Sequence, residues 1–379
     1  MNDTGGTYRL KTKLISTSDA IPGMIVAEDI YGLQDYLIIP AHSKLTNHSI
    51  TRLRFYAIHE LLIELEETED DVEVPAPKPV PFTEQMADTY SEFIKKTPEF
   101  EYFKESCNTA VERLKMRVEL QSGKLRQPLQ ADILLEDIDE ILSESRNPTH
   151  IVQMIDCMRD SDDVTYKHSI SCAILCKVMG QWMKYSKEDI KVLTLAGLLH
   201  DIGKLTMPSA ILQKPTRLSA NEYSIMKQHP QEGYKLLLDQ HMDQRILNAA
   251  LQHHERIDGS GYPRGLIGNA IDEMAQIVAI VDVYIAMINP RIYRPANCPF
   301  DAMSVFEQEG YQMFSPKIML TFLEGLANSY VNSTVQLNDN RTGEIILIDS
   351  LHITRPVIKI GTEFIDLREH YNLHITDIL

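Results

Sequence analysis

The chain has 379 residues, a formal net charge of −17, and a composition that is 44% apolar and 24% charged. That length exceeds one ordinary domain, so two or three units are expected, with enough apolar sequence for a sizeable core. The acidic balance argues against sequence-independent binding to duplex nucleic acid or to an anionic membrane, since both need a basic face. A small anionic substrate stays compatible if metals and a few cations make one site locally positive.

The five cysteines, Cys107, Cys157, Cys172, Cys176 and Cys298, form no CxxC pair. No secretory leader and no run of about 18 apolar residues is read, so a reducing, cytoplasmic setting without a membrane span is expected. Cys172 and Cys176 stand one helical turn apart. A metal half-site is one reading, and buried helix packing is the preferred one, because free cysteine behaves as a small apolar residue.

Residues 1–66 read as a small β-rich regulatory domain, with KLIS, GMIVAEDI and YLIIPA separated by turn residues and one helix at about 49–57. Residues 67–82 are acidic and then Pro-rich, as suits a solvated linker. Residues 83–149 read as a helical connector. Its stripe is Phe93, Phe100, Phe103, Val111 and Leu114, with a break at Pro98 and a second helix at about 129–143.

Residues 150–328 are strongly helical. HIVQMIDCMR and KHSISCAILCKVMGQWM are followed by KEDIKVLTLAGLLHDIG, which is expected to end at Gly203. Then come a helix start at Ser219, a break at Pro230, and helices at 243–254, 272–288, 300–310 and 315–328. Residues 329–379 change to strand-like alternation around the hairpin signal NDNRTG. The expected fold class is mainly α: an all-α helical bundle with a small β-rich N-terminal domain and a β-strand C-terminal appendage.

The chemistry is concentrated in four stretches: LTLAGLLHDIGK at 193–204, KQHP at 227–230, LQHHERIDGSGYP at 251–263 and QIVAIVDVYIAM at 276–287. The last is apolar nearly all round, so it should run through the middle of the domain, where Asp282 needs a partner. With His168, His200, Asp201, His229, His253 and His254, that makes five imidazoles and two carboxylates. A single tetrahedral site uses fewer ligands. A dinuclear centre bridged by Asp201 accommodates them, and two adjacent metals suit in-line phosphoester hydrolysis. A single helical histidine is more often a satisfied core or surface group, but the adjacent pairs His200-Asp201 and His253-His254 argue against that here.

HDIGK (200–204), HHERIDGSGYP (253–263) and the following Asp282 resemble the HD-GYP family of HD-type metal-dependent phosphohydrolases, over about 150–328. Residues 9–66 only weakly resemble the β-rich domain that precedes some members. The resemblance implies an HD-type helical bundle around two or three metals, and hydrolysis of cyclic di-GMP to pGpG or GMP. His168, His200, Asp201, His229, His253, His254 and Asp282 fall on the family's metal ligands. Asp201 and Lys204 fall on its catalytic residues, and Lys204, Arg291 and Arg294 on its phosphate contacts. Asp258, Gly259, Gly261, Tyr262 and Pro263 form the motif loop that borders the site. Both glycines are expected at positive-φ turns, with Pro263 stiffening the exit.

Two departures stand out. Val164 occupies the place of the glutamate found in three-metal members, so two divalent ions are expected, iron or manganese by resemblance, with zinc also compatible. Ile285 and Ile288 replace an aspartate and a threonine that usually follow Asp282, which puts substrate orientation in question. The alternatives are therefore a weakly active or inactive cyclic-dinucleotide sensor that signals through protein contacts, and a phosphodiesterase for another cyclic dinucleotide. The partners implied are the cyclic dinucleotide, a diguanylate cyclase of the GGDEF type and a second copy in a homodimer.

Overall fold

The computed structural model describes residues 12–16, 20–31, 37–46, 49, 53, 60–64, 90–122, 128–158, 164–214, 216, 218–289 and 297–379. The chain divides into two compact units, Met1–Thr83 and Glu84–Leu379.

In the first unit β1 (Thr12–Ser16), β2 (Ile25–Val26) and β5 (Glu60–Glu64) form an antiparallel sheet in the order β1-β5-β2, and β3 (Ile30–Tyr31) pairs with β4 (Leu37–Ile39). Alternation along β5 turns Leu61 and Ile63 inward, where they meet Val26, Ile30, Ile39, Leu45 and Leu53. Of the helix expected at 49–57 only Ser49 and Leu53 are described, both helical. The expected linker at 67–82 lies outside the described residues.

The second unit is a helical bundle with a sheet at its C-terminal end. Its helices are α1 (Tyr90–Lys95), α2 (Pro98–Ser122), α3 (Ala131–Ile141), α4 (Pro148–Cys157), α5 (Val164–Trp182), α6 (Lys187–Leu199) and α7 (Ser209–Leu212). They continue as α8 (Ala220–Met226), α9 (His229–Leu237), α10 (Gln244–Gln252), α11 (Glu273–Ile288), α12 (Pro299–Val305), α13 (Tyr311–Met313) and α14 (Pro316–Ser329). Short polar residues start them. Ser186 caps α6, Ser219 and Glu222 form a reciprocal capping box on α8, and Asp243 and Asp272 accept from the first turns of α10 and α11. Pro98 and Pro230, expected as breaks, open α2 and α9, because a proline in the first turn loses no helical hydrogen bond.

Two readings need correction. Helix α6 stops at Leu199, and Gly203 lies beyond it in a 3-10 turn, Ile202–Thr206, so this glycine answers a packing demand and does not end the helix. Phe93 is 58% exposed, while its neighbour Ile94 turns inward, so the connector stripe runs through Ile94, Phe100, Phe103, Val111 and Leu114.

Residues of 83–149 share one buried core with those of 150–328, for example Phe103 and Ile138 with Leu175, Leu199 and Ile277. The C-terminal strands β6 (Thr334–Leu337), β7 (Thr342–Asp349), β8 (His352–Ile360), β9 (Glu363–Asp366) and β10 (Ile375–Ile378) form an antiparallel sheet ordered β10-β6-β7-β8-β9. The turn between β6 and β7 sets Asn340 at φ 67°, and the inward residues Val335, Leu337, Ile345 and Ile358 join the same core. No helix among the described residues is long and apolar enough to cross a membrane.

Candidate metal centre

Helices α5 and α6 approach closely at Gly197, where a Cβ would stand 2.8 Å from Cys176 Sγ and 2.9 Å from the Cys172 carbonyl oxygen. This contact brings His168, on α5, to His200 and Asp201 at the end of α6. The following turn then meets α9 backbone to backbone at Gly203, which sets His229, the first residue of α9, beside Asp201. His253 and His254 follow the last turn of α10. Asp282 projects from α11, whose start is tied to α10 by the Asp272 amide donating to Gln252 Oε1 at 2.8 Å and by Asn248 Nδ2 donating to Asp272 Oδ2 at 3.0 Å. All seven residues predicted from the sequence converge on one place.

The cluster has two halves that share Asp201. On one side Asp201 Oδ2 lies 3.4 Å from His200 Nε2 and 4.0 Å from His168 Nε2, while Asp282 Oδ1 lies 3.0 Å from His168 Nε2 and 3.8 Å from His200 Nε2. On the other side Asp201 Oδ1 lies 3.3 Å from His229 Nε2 and 3.7 Å from His253 Nε2. Donor atoms of Asp201, His229, His253 and His254 all fall within 4.8 Å of one another. A carboxylate that turns one oxygen to each of two histidine sets has the form of a bridging ligand.

The ring tautomers point the same way. Nδ1 of His200 faces the Gly197 carbonyl at 2.8 Å, that of His229 the Met226 carbonyl at 2.8 Å, and that of His253 the Ala249 carbonyl at 3.0 Å. Each Nδ1 must therefore carry the proton, leaving Nε2 of a neutral ring as a bare acceptor, the arrangement that metal-bound imidazoles use. His229 Nε2 and His253 Nε2 nevertheless stand 3.2 Å apart. Two lone pairs at that distance repel unless a cation lies between or beside them. His200 Nε2 and Asp201 Oδ1 are also buried without a hydrogen-bond partner. The donor set fits divalent metal ions, and mixed imidazole and carboxylate ligands suit transition metals.

Electrostatics favour the same state at Asp201, Asp282, His253 and His254. Burial alone would raise Asp201, but Lys204 and His200 outweigh it and hold the carboxyl well below its ordinary range. Asp282 is likewise held low, its burial outweighed by the His168 contact. Burial drives His253 well down and His254 down to about 3, so both rings are neutral at ordinary pH. His200 moves the other way, since the neighbouring Asp201 outweighs the effect of burial.

The motif loop stands at the rim. Asp258 Oδ1 accepts from the Ser260 amide at 2.9 Å, and Gly259 takes φ +83°. Gly261 does not adopt a positive φ. It is glycine because a Cβ there would lie 2.4 Å from the Arg256 amide nitrogen and 2.5 Å from the His254 carbonyl. Tyr262 stacks on His254 with centroids 4.6 Å apart, and the Lys227 ammonium lies 5.0 Å from the Tyr262 ring centre. Pro263 follows it through a cis peptide bond.

Sequence reasoning passed over Glu255. It is 2% exposed, and its two carboxylate oxygens accept from the amides of Arg264 and Leu266 at 2.7 and 2.9 Å, pinning the loop's return. A charged residue directly after the two histidines was the available signal. Lys204 contacts Asp201 Oδ2 and keeps 28% of its side chain exposed. Arg291 and Arg294 lie outside the described residues, as does the side chain of Val164. Ile285 and Ile288 are fully buried in the apolar core.

A family model described as "HD domain" matches residues 153–318. The chain is 32% identical over 226 residues to a cyclic di-GMP phosphodiesterase of Pseudomonas aeruginosa, a match covering 59% of this chain and 54% of that one. It is 32% identical over 218 residues to a cyclic di-GMP phosphodiesterase response regulator of Xanthomonas campestris, covering 56% and 57%. It is 36% identical over 172 residues to a 3'3'-cGAMP-specific phosphodiesterase of Vibrio cholerae, covering 45% and 38%. The match therefore spans about half the length of the first two relatives and less of the third. The His/Asp cluster and the GYP loop are both seated inside the segment that matches the HD domain, residues 153–318.

Proposed function

We propose that this chain is a metal-dependent phosphodiesterase that hydrolyses cyclic di-GMP to pGpG or GMP, with His168, His200, Asp201, His229, His253, His254 and Asp282 as the ligands of two divalent ions. The observation that supports this reading best is Asp201, whose two oxygens face two separate sets of bare imidazole nitrogens. When bound there, two ions would activate a water and offset the charge that develops on the phosphoryl oxygens.

The chain's own residues do the rest. Backbone carbonyls hold three rings in the tautomer that presents Nε2. The Lys204 ammonium, next to Asp201 and open to solvent, is placed to meet a phosphate oxygen of the substrate. Arg291 and Arg294 are proposed as further phosphate contacts, on sequence resemblance. Iron or manganese is the proposed metal, and a GGDEF cyclase and a second copy of the chain are the proposed partners.

The test is hydrolysis of cyclic di-GMP by anaerobically purified protein supplied with iron or manganese, beside Asp201→Ala. Turnover in the wild type and none in the variant is expected. A fully metal-loaded wild type that leaves the substrate intact would overturn the reading.

A second reading, favoured by the 36% identity to the Vibrio cholerae cGAMP-specific enzyme, keeps the chemistry and changes the base. Competition between the two dinucleotides separates them.

A further inference from the structure

We propose that Cys172 is a sulfur ligand of the half-centre that contains His168 and His200. The assignment rests on the dinuclear reading above and adds a donor that the family resemblance does not include.

Cys172 follows His168 by four residues on α5, so both side chains leave the same face of the helix. Its Sγ is fully buried and lies 3.5 Å from His168 Nε2. The donor atoms of His168, Cys172 and His200 all fall within 4.8 Å of one another. His200 Nε2, the third member, is the buried ring nitrogen with no hydrogen-bond partner. A thiolate about 2.3 Å from a metal and an imidazole nitrogen about 2.0–2.1 Å from it, at a tetrahedral angle, stand roughly 3.5 Å apart. The observed separation matches shared coordination, and it also matches a thiol-to-imidazole hydrogen bond.

Cys176 provides the contrast. It is equally buried and one turn further along, but it packs at Gly197, where α5 and α6 touch. The two cysteines of one helix therefore divide their tasks, one packing the helices and one facing the metal. On coordination the metal displaces the thiol proton, which leaves to solvent. A soft sulfur donor then biases this half toward zinc or ferrous iron over manganese, which prefers oxygen.

The test uses the full chain, stripped of metal and reloaded anaerobically with cobalt(II), with metal content measured on the same samples. Wild type and Cys176→Val should show the near-ultraviolet sulfur-to-cobalt charge-transfer band. Cys172→Val and Cys172→Ser should lose it while retaining the wild-type circular dichroism. A wild type with two cobalt ions and no such band, or a band that persists in Cys172→Val, overturns the assignment and leaves Cys172 as a hydrogen-bonding neighbour of His168. A folded wild type that takes up no cobalt overturns the metal-centre reading, and this assignment with it.

Discussion

A Cβ built on Gly203 would stand 1.9 Å from the carbonyl oxygen of His229 and 2.4 Å from the Gly233 amide nitrogen. The backbone two residues after Asp201 therefore touches the backbone that carries His229. Nothing flexible lies between them to give way. Gly203→Ala is expected to push α9 off the cluster, lowering stability by about 1–3 kcal/mol or more and reducing bound metal per chain. Denaturant unfolding and metal analysis check this, and a variant with unchanged metal content would show that the contact can relax.

Removing metal should destabilise the protein by relieving nothing else. The facing nitrogens of His229 and His253 and the two ionised carboxylates lose their cation together. Metal at about a hundredfold excess over its Kd contributes about 2.7 kcal/mol, a change of roughly 4–5 °C in a unit of this size. Thermal unfolding with and without chelator measures it, and coincident curves would contradict the ligand assignment.

The metal-free protein should also respond to acid through His254. Its folded pKa is pushed by burial from the ordinary 6.5 down to about 3. The unfolded chain thus binds a proton that the folded chain refuses, and stability falls as pH drops from about 6.5 toward 3. The raised His200 acts in the opposite sense, losing its contribution as pH rises through its folded value. Comparing urea midpoints of the wild type and His254→Gln across that window isolates the His254 part, which should shrink in the variant.

Glu255 holds the motif loop with both oxygens, so Glu255→Gln keeps one acceptor and turns the other into a donor facing an amide. Leaving one of those amides unmatched should lower stability by about 1–3 kcal/mol. Faster hydrogen exchange at Arg264 or Leu266 would accompany it. Unaltered exchange at both amides would mean that the loop stands without this anchor.

Lys204→Met tests the phosphate contact. Losing one charge-assisted hydrogen bond, about 1.5–3 kcal/mol, should reduce kcat/KM by roughly 10–100-fold with metal content held. An equal loss of metal and activity would instead make Lys204 a support for Asp201.

The residues of the His/Asp cluster were legible in the sequence because metal-ligating chemistry restricts residue type. Adjacent His-Asp and His-His pairs, with an aspartate inside an apolar helix, have few packing explanations. Helix limits were legible for a similar local reason, since Ser219 with Glu222, Asp243 and Asp272 satisfy amides within three residues. Glu255 was not legible, because its partners Arg264 and Leu266 lie 9 and 11 residues on and only the folded loop brings their amides to it.

Gly203 and Gly261 mark the limit most clearly. From sequence one reads as a helix stop and the other as a left-handed turn, the common local reasons for glycine. Each is instead a place where two stretches of backbone approach too closely for a Cβ. The division of Asp201 between two histidine sets is of the same kind. The sequence by itself singled out the His and Asp residues that meet in the cluster, because donor type and helix caps depend on neighbours along the chain. Only the tertiary structure decided which oxygen faces which ring and which cysteine faces the cluster, because those relations depend on how close α5, α6 and α9 come together.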